Sequence, residues 1–410
     1  MEDTVQDHGL ERKVLGKEDV VQGHGLKRHS SDTVAITEDL IVSEILTRLT
    51  VRSLLRFKTV CRSWYAQINH PSFIAAHLEQ SRKNPELAII SAEGGKCNQT
   101  ITIYKYEGQK WHFASFLFER RCPTVQRVLN RPHHSNGLVF LSLRTELLVC
   151  NPSTREFTVL PKGSLSAHPS HNIRRRRAGF EFVPCNVYKV AQYFYRSYSH
   201  GERTCSLGFE VFTLGIDSSW RVTSEDPPYP IDIECSPISA SGAIYFKIDN
   251  SLHKSSPKYI LSFDLRDEKF TVIPPPPGFK GGPRNTYHMT ELDNTLCFIF
   301  KPSVGETYDK WVYKDCTWIH SYTLQFPPQV LFFSFIAVRH GKLLLQVNDT
   351  EKKVSLFDPQ SNSFETVTCL SKIAYFKGQY PPVFFNEKSA FQVISYVESL
   401  VPVRPKKIEL

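Results

Sequence analysis

An aromatic residue returns along this 410-residue chain at intervals close to 48, as Trp111, Phe157, Trp220, Phe270, Trp318 and Phe364. In three copies an Asn or Asp stands six residues before it (Asn151, Asp264 and Asp358). Each of those copies is an apolar run, a polar turn opened by an Asx side chain, and a returning run, as in Leu261-Ser262-Phe263-Asp264-Leu265-Arg266-Asp267-Glu268-Lys269-Phe270. A second turn and strand lie upstream of four copies: Asn136-Gly137-Leu138, Ser241-Gly242-Ala243, Asp293-Asn294-Thr295 and His340-Gly341-Lys342. Several short strands per unit, repeated at this period, describe the blades of a β-propeller. Six aromatics predict about six blades. The 63 residues between Phe157 and Trp220 require an insertion, which Lys162 to Ala178 supplies. The competing reading of the same residues is a β-sandwich with aromatics at coincidental spacing.

The ends of the repeat region carry a further expectation. Leu87 to Ser91 and Ile101 to Tyr106 form a short first unit, and Phe391 to Val401 is a strand-like run with no repeat after it. Left unpaired, both would present raw hydrogen-bonding edges, so the last strand is expected to return to the first blade and close the ring.

Upstream of the repeats the pattern is helical, not strand-like. Thr37 is placed to cap a helix that has Glu38 and Asp39 in its first turn and an apolar stripe of Leu40, Ile41, Ile45, Leu46 and Leu49. Thr50 can cap a second helix with Val51, Leu54, Leu55 and Phe57, and a third carries Val60, Cys61, Trp64 and Ile68 along one stripe. Pro71 opens a further turn with Phe73, Ala76 and Leu78. So small a helical unit is marginal alone and gains from a neighbour. Residues 1–33, with Val5-Gln6-Asp7-His8-Gly9-Leu10 imperfectly repeated as Val21-Gln22-Gly23-His24-Gly25-Leu26, read as a disordered tail. The expected organisation is that tail, a helical module over 34–80, a β domain over 85–401 and a short tail over 402–410.

Composition narrows the function classes. Fifty Lys and Arg against 41 Asp and Glu give +9, a mild excess that does not demand nucleic acid. No window holds the roughly 18 apolar residues of a membrane span. The acidic start Met1-Glu2-Asp3-Thr4 lacks a secretory signal, so an intracellular place, nucleus or cytoplasm, is expected. Ten scattered cysteines without a CxxC offer neither a zinc site nor a redox pair. There is no HExxH, GxSxG, P-loop or dinucleotide fingerprint, hence no catalytic residue, metal or cofactor is expected. Arg174, Arg175, Arg176 and Arg177 form a candidate anion-binding loop, although a solvated loop tip is the favoured reading of the run. Pro274 to Pro277 reads as a stiff inter-blade loop.

The helical segment resembles the F-box. Glu38 to Leu49 is similar to its first helix. Ser53-Leu54-Leu55-Arg56-Phe57-Lys58-Thr59-Val60-Cys61-Arg62-Ser63-Trp64, with the trailing Pro71-Ser72-Phe73, resembles its second half. Ile36-Thr37 and Leu49-Thr50 stand where family members carry Leu-Pro. Residues 85–401 resemble the F-box-associated domain of plant F-box proteins, related to kelch-type propellers, through Ser135-Asn136-Gly137-Leu138, Asn151-Pro152-Ser153-Thr154-Arg155-Glu156-Phe157, Tyr188-Lys189-Val190, Ile260-Leu261-Ser262-Phe263-Asp264-Leu265 and Tyr396-Val397-Glu398-Ser399-Leu400-Val401. The resemblance implies a non-catalytic receptor of a Skp–cullin–F-box ubiquitin ligase. Ile36, Leu40, Ile45, Leu46, Leu49, Leu54, Leu55, Val60, Cys61 and Trp64 would serve the Skp-type adaptor, and through it a cullin-RING scaffold, while the β domain holds a target protein. The alternative is a propeller sugar binder or glycoside hydrolase with a helical preface, which would need acidic side chains converging at the central mouth.

Overall fold

The computed structural model describes residues 41–404 except 95–98, 109–112, 123–130, 144–145, 169–176, 185, 200, 203, 250–259, 281–286, 303–306, 327–332, 348–351, 376–382 and 386–389. Ile36, Thr37, Leu40, Trp111, Arg174, Arg175 and Arg176 therefore lie outside the described residues, as does the amino-terminal repeat.

Six sheets make up the β domain. Blade 1 takes β1 (Glu86–Gly94), β2 (Gln99–Tyr106) and β3 (Phe113–Cys122), together with the last strand, β26 (Ala390–Tyr396). Blade 2 is β4 (His133–Ser135), β5 (Leu138–Ser142), β6 (Leu147–Asn151) and β7 (Glu156–Val159). Blade 3 is β8 (Ala178–Val183), β9 (Val187–Ser199), β10 (Thr204–Thr213) and β11 (Arg221–Val222). Blade 4 is β12 (Ile238–Ala240), β13 (Ala243–Lys247), β14 (Ile260–Asp264) and β15 (Lys269–Ile273). Blade 5 is β16 (Tyr287–Leu292), β17 (Thr295–Phe300), β18 (Thr307–Lys314) and β19 (Thr317–Gln325). Blade 6 is β20 (Phe333–Arg339), β21 (Lys342–Val347), β22 (Lys353–Asp358) and β23 (Ser363–Cys369). Two short strands, β24 (Ala374–Tyr375) and β25 (Val383–Phe384), extend the outer side of blade 1.

The ring closes as the sequence predicts. β26 is the innermost strand of blade 1 and pairs antiparallel with β1, from Glu86 opposite Tyr396 to Ala92 opposite Ala390. The six innermost strands β26, β4, β8, β12, β16 and β20 neighbour one another in a circle. The sandwich reading is thereby excluded.

Each blade is apolar on both faces because each is covered on both sides. Along β5, Leu138 and Phe140 face blade 3 while Val139 and Leu141 face blade 1. In β17, Leu296, Phe298 and Phe300 pack toward blade 4, and Cys297 and Ile299 toward blade 6. The period of two is present but divided between two interfaces, which is why the sequence shows continuous apolar runs.

The turns follow the predicted chemistry. Asn136-Gly137, Ser241-Gly242, Asp293-Asn294 and His340-Gly341 all have positive φ at both positions, as a two-residue hairpin requires. The Oδ1 of Asn151, Asp264 and Asp358 each accepts two backbone N–H groups within its turn, from Ser153 and Thr154, Arg266 and Asp267, and Gln360 and Ser361.

The repeating aromatics turn out to be inter-blade ties. Phe157 of blade 2 packs edge-on against Phe118 of blade 1, at 6.0 Å between centroids. Phe270 of blade 4 meets Phe209 of blade 3 at 5.0 Å, and Phe364 of blade 6 meets Phe326, just past blade 5, at 5.8 Å. The two tryptophans do the same with a hydrogen bond. Trp220 Nε1–H donates to the Pro161 carbonyl beyond blade 2, and Trp318 Nε1–H to the Pro274 carbonyl beyond blade 4 (2.8 and 2.7 Å). Every described copy reaches the blade before its own.

Because successive strands alternate direction, the first and third hairpin turns of blades 2 to 6 share one face of the ring with the end of β26. The second and fourth strands of each blade end on the other. The helical module enters at the start of β1, the second strand of blade 1, and so sits on the face of short turns.

Candidate functional site

In the helical module, Ile41–Ile45 forms one wide turn and Leu46–Arg48 a tight one, followed by α1 (Val51–Phe57), α2 (Arg62–Asn69) and α3 (Pro71–Lys83). The expected first α-helix is thus irregular over its described residues, where Ile41, Val42, Ile45 and Thr47 are β-branched and disfavour a regular helix. The expected turn at Pro71 is a full 13-residue helix. Thr50 caps α1 as predicted, its Oγ1 accepting the Ser53 N–H.

The eight described residues of the ten assigned to adaptor docking separate into classes once burial is known. Leu46 and Leu54 are sealed in the module's core with Val51, Ile68 and Phe73. Leu49, Leu55 and Trp64 are half-buried against it. Ile45 and Val60 are 46% and 62% exposed. Cys61 and Val60 require a correction, since neither lies in an apolar helical stripe. The chain leaves α1 before Val60, and Cys61 is the exposed N-cap of α2, its Sγ accepting the Trp64 N–H. A residue missed from the sequence, Tyr65, is 58% exposed. Among the described residues, Ile45, Val60 and Tyr65 are therefore the large apolar groups this module offers to a partner. Lone exposed apolars are common, so the sequence held no signal to single out Tyr65.

A second candidate is the ring's central channel, a cavity of about 840 Å³. It runs from Arg82 and Asn136 on the helical module's face to Arg131 and Arg177 toward the other. Arg177 is not the solvated loop tip that the four-arginine run predicts. It is buried, donating Nη1–H to Ser236 Oγ (2.7 Å) and Nη2–H to the Glu234 carbonyl (3.1 Å), which ties blade 3 to blade 4. Arg131 crosses the channel to Thr290 Oγ1 (2.7 Å) and the Phe335 carbonyl (2.9 Å).

Burial governs the titration of the lining groups. It pushes Glu181 up to about 7, against the N–H of Phe182 and the hydroxyl of Ser135 that favour its charge. It also raises Glu291 and holds His134 down to about 4. His133 falls to about 3 through burial and the nearby Arg131 guanidinium. Four acidic residues, Glu181, Glu234, Glu291 and Asp293, thus line the channel together with three arginines, Arg82, Arg131 and Arg177, and two histidines, so acids and bases are interleaved along it. Among the described residues no three His, Cys, Asp or Glu side chains gather to hold a metal.

Comparison with known proteins fits both halves of this architecture. Residues 90–394 match the F-box associated beta propeller domain family, and residues 39–75 match the F-box domain. The F-box protein At2g21930 of Arabidopsis thaliana is 27% identical over 295 residues, spanning 70% of each chain. The F-box protein CPR1 of the same plant is 26% identical over 364 residues, spanning 80% of this chain and 83% of that one.

Proposed function

The chain belongs to the plant F-box proteins that carry an F-box-associated β-propeller, and from that premise we propose that it is the target receptor of a Skp–cullin–F-box ubiquitin ligase. The observation that carries this reading is the layout of the ring. A small helical module with Ile45, Val60 and Tyr65 exposed sits on the face of short turns. On the opposite face the second and fourth strands of the blades end, and the stretches of chain that follow them differ in length from blade to blade. The first surface would hold a Skp-type adaptor and through it a cullin-RING scaffold. The second would hold the target, because binding residues concentrate on variable loops carried by a rigid frame.

The chain supplies no catalytic group in this scheme. Ubiquitin passes from the thioester of a separate conjugating enzyme to a lysine amine of the target, and the receptor contributes proximity, converting an encounter into an effectively intramolecular step. Action in nucleus or cytoplasm would follow from those partners.

The test is affinity capture of the tagged full-length chain from plant cells with the proteasome inhibited. Adaptor and cullin should co-purify together with one or more ubiquitinated proteins. Recovery of the folded chain without adaptor or cullin would sink the proposal.

A further inference from the structure

Three of the sequence segments singled out above, 135–138, 151–157 and 396–401, lie far apart in the chain and meet at one place. Beyond β26 the backbone continues as 397–404 across the short-turn face of blade 2. The Asn151 amide donates to the carbonyls of both Ser399 (2.9 Å) and Val401 (2.8 Å), and Ser153 Oγ bonds the Tyr396 hydroxyl (2.5 Å). Gly137, at φ +85°, lies directly beneath, and a Cβ there would run into the Ser399 side chain. The expected tail from 402 is corrected by the same contacts. Val403 is buried, its N–H donating to Glu156 Oε2, and Arg404 donates to Thr158 Oγ1.

The segment thus fastened to the ring reaches into the F-box. Leu400 belongs to the module's core, packed with Leu46, Val51, Leu54, Ile68 and Phe73. Glu398 faces both domains at once. Its Oε2 accepts the Val51 N–H at the start of α1 (2.9 Å), while its Oε1 accepts from Lys105 Nζ on β2 (3.0 Å). Lys105 is nearly buried among Glu86, Glu107 and Glu398. A further link runs from Arg82 on α3 to Asn136 Oδ1 on the β4–β5 turn (2.5 Å). None of these contacts uses Ile45, Val60 or Tyr65.

We propose that the 397–401 segment is the seat that fixes the angle between the F-box and the propeller, with Glu398 and Leu400 as positioning residues for ubiquitin transfer. The inference rests on the receptor reading. A receptor held at one angle presents a restricted set of lysines to the conjugating enzyme, and a receptor that swings presents many. Sequence order adds a second consequence: only a chain whose last strand has closed the ring can complete the F-box core.

The test uses the full-length chain with Glu398→Ala and Leu400→Ala combined. Hydrogen exchange of the free chain should speed about tenfold at the Val51 to Leu54 amides, the effect of losing one charge-assisted bond and its packing. Exchange at Val393 and Ile394 in β26 should not change. In a ligase reconstituted with a Skp-type adaptor and cullin, adaptor affinity should stay within about twofold, whereas self-ubiquitination, mapped by mass spectrometry, should spread to more lysines. Unaltered exchange in α1 would overturn the seat. Faster exchange with an unchanged lysine pattern would overturn the positioning role. If the double variant does not fold, Glu398→Gln, which keeps an acceptor for Val51 but drops the charge, and Arg82→Ala carry the same comparison. A wild-type chain that binds no adaptor would overturn the receptor reading instead, and the exchange data would still decide the seat.

Discussion

Leu54 and Val60 look alike in the sequence, each an apolar residue assigned to the stripe of a helix, yet Leu54 is sealed and Val60 is 62% exposed. A charge at the two positions should do different things. Leu54→Asp buries an uncompensated carboxylate and is expected to unfold the helical module. Val60→Asp with Tyr65→Asp should leave its melting unchanged and abolish adaptor binding, as read by pull-down. Which apolar residues exist was legible; which of them face outward was not, because that depends on where α1 stops. His134 supplies a pH test at the same scale. Its Nε2 accepts the N–H groups of Gly137 and Val397, so protonation would set a donor against two donors. Its folded pKa, about 4, lies below the unfolded value of about 6.5, so its stabilising share is complete above pH 6.5 and is lost as pH falls toward 4. Glu181, raised to about 7 by burial, acts in the opposite sense, so the comparison must be between variants. Going from pH 7.5 to pH 5, His134→Gln should therefore lose less melting temperature, or gain more, than wild type.

Strands and turns were the most readable level. The Asx turns, the paired positive-φ turns and the six-fold repeat all follow from local chemistry that a sequence displays. The job of the repeating aromatic was hidden, because its partner sits in the preceding blade about 40 or more residues away. The same holds for Glu268, which follows an Asx turn in blade 4 and reads as an ordinary loop acid. It binds Lys189 (2.8 Å) and Arg221 (2.7 Å) of blade 3, and the Arg221 bonds first, then Lys189, hold its carboxyl at about 2. Glu268→Ala leaves the buried Lys189 ammonium with the Leu265 carbonyl as its one acceptor among the described residues. The expected cost is about 2–3 kcal/mol, measured by denaturant unfolding. Trp318→Phe, which removes the bond to Pro274 and shrinks the ring that packs on Phe298 and Tyr313, should cost at least about 1 kcal/mol by the same measurement.

At the scale of the molecule, closure was legible because two unmatched strands at opposite ends of a repeat array have few other fates. The β26–β1 ladder joins them, and the two inter-blade cores on either side of blade 1 depend on it. Ending the chain at Ser389 should thus yield insoluble protein, not a trimmed ring. The seat beneath the F-box was not legible, since its parts lie more than 200 residues apart. The proposed role needs a rigid ring with a target on one face and an adaptor-binding module on the other. The most direct test is light scattering of the purified full-length chain mixed with a Skp-type adaptor. The account predicts a one-to-one complex, 47.1 kDa heavier than the adaptor alone, at micromolar concentration. Separate elution of the two proteins, with the chain shown to melt cooperatively, would contradict it.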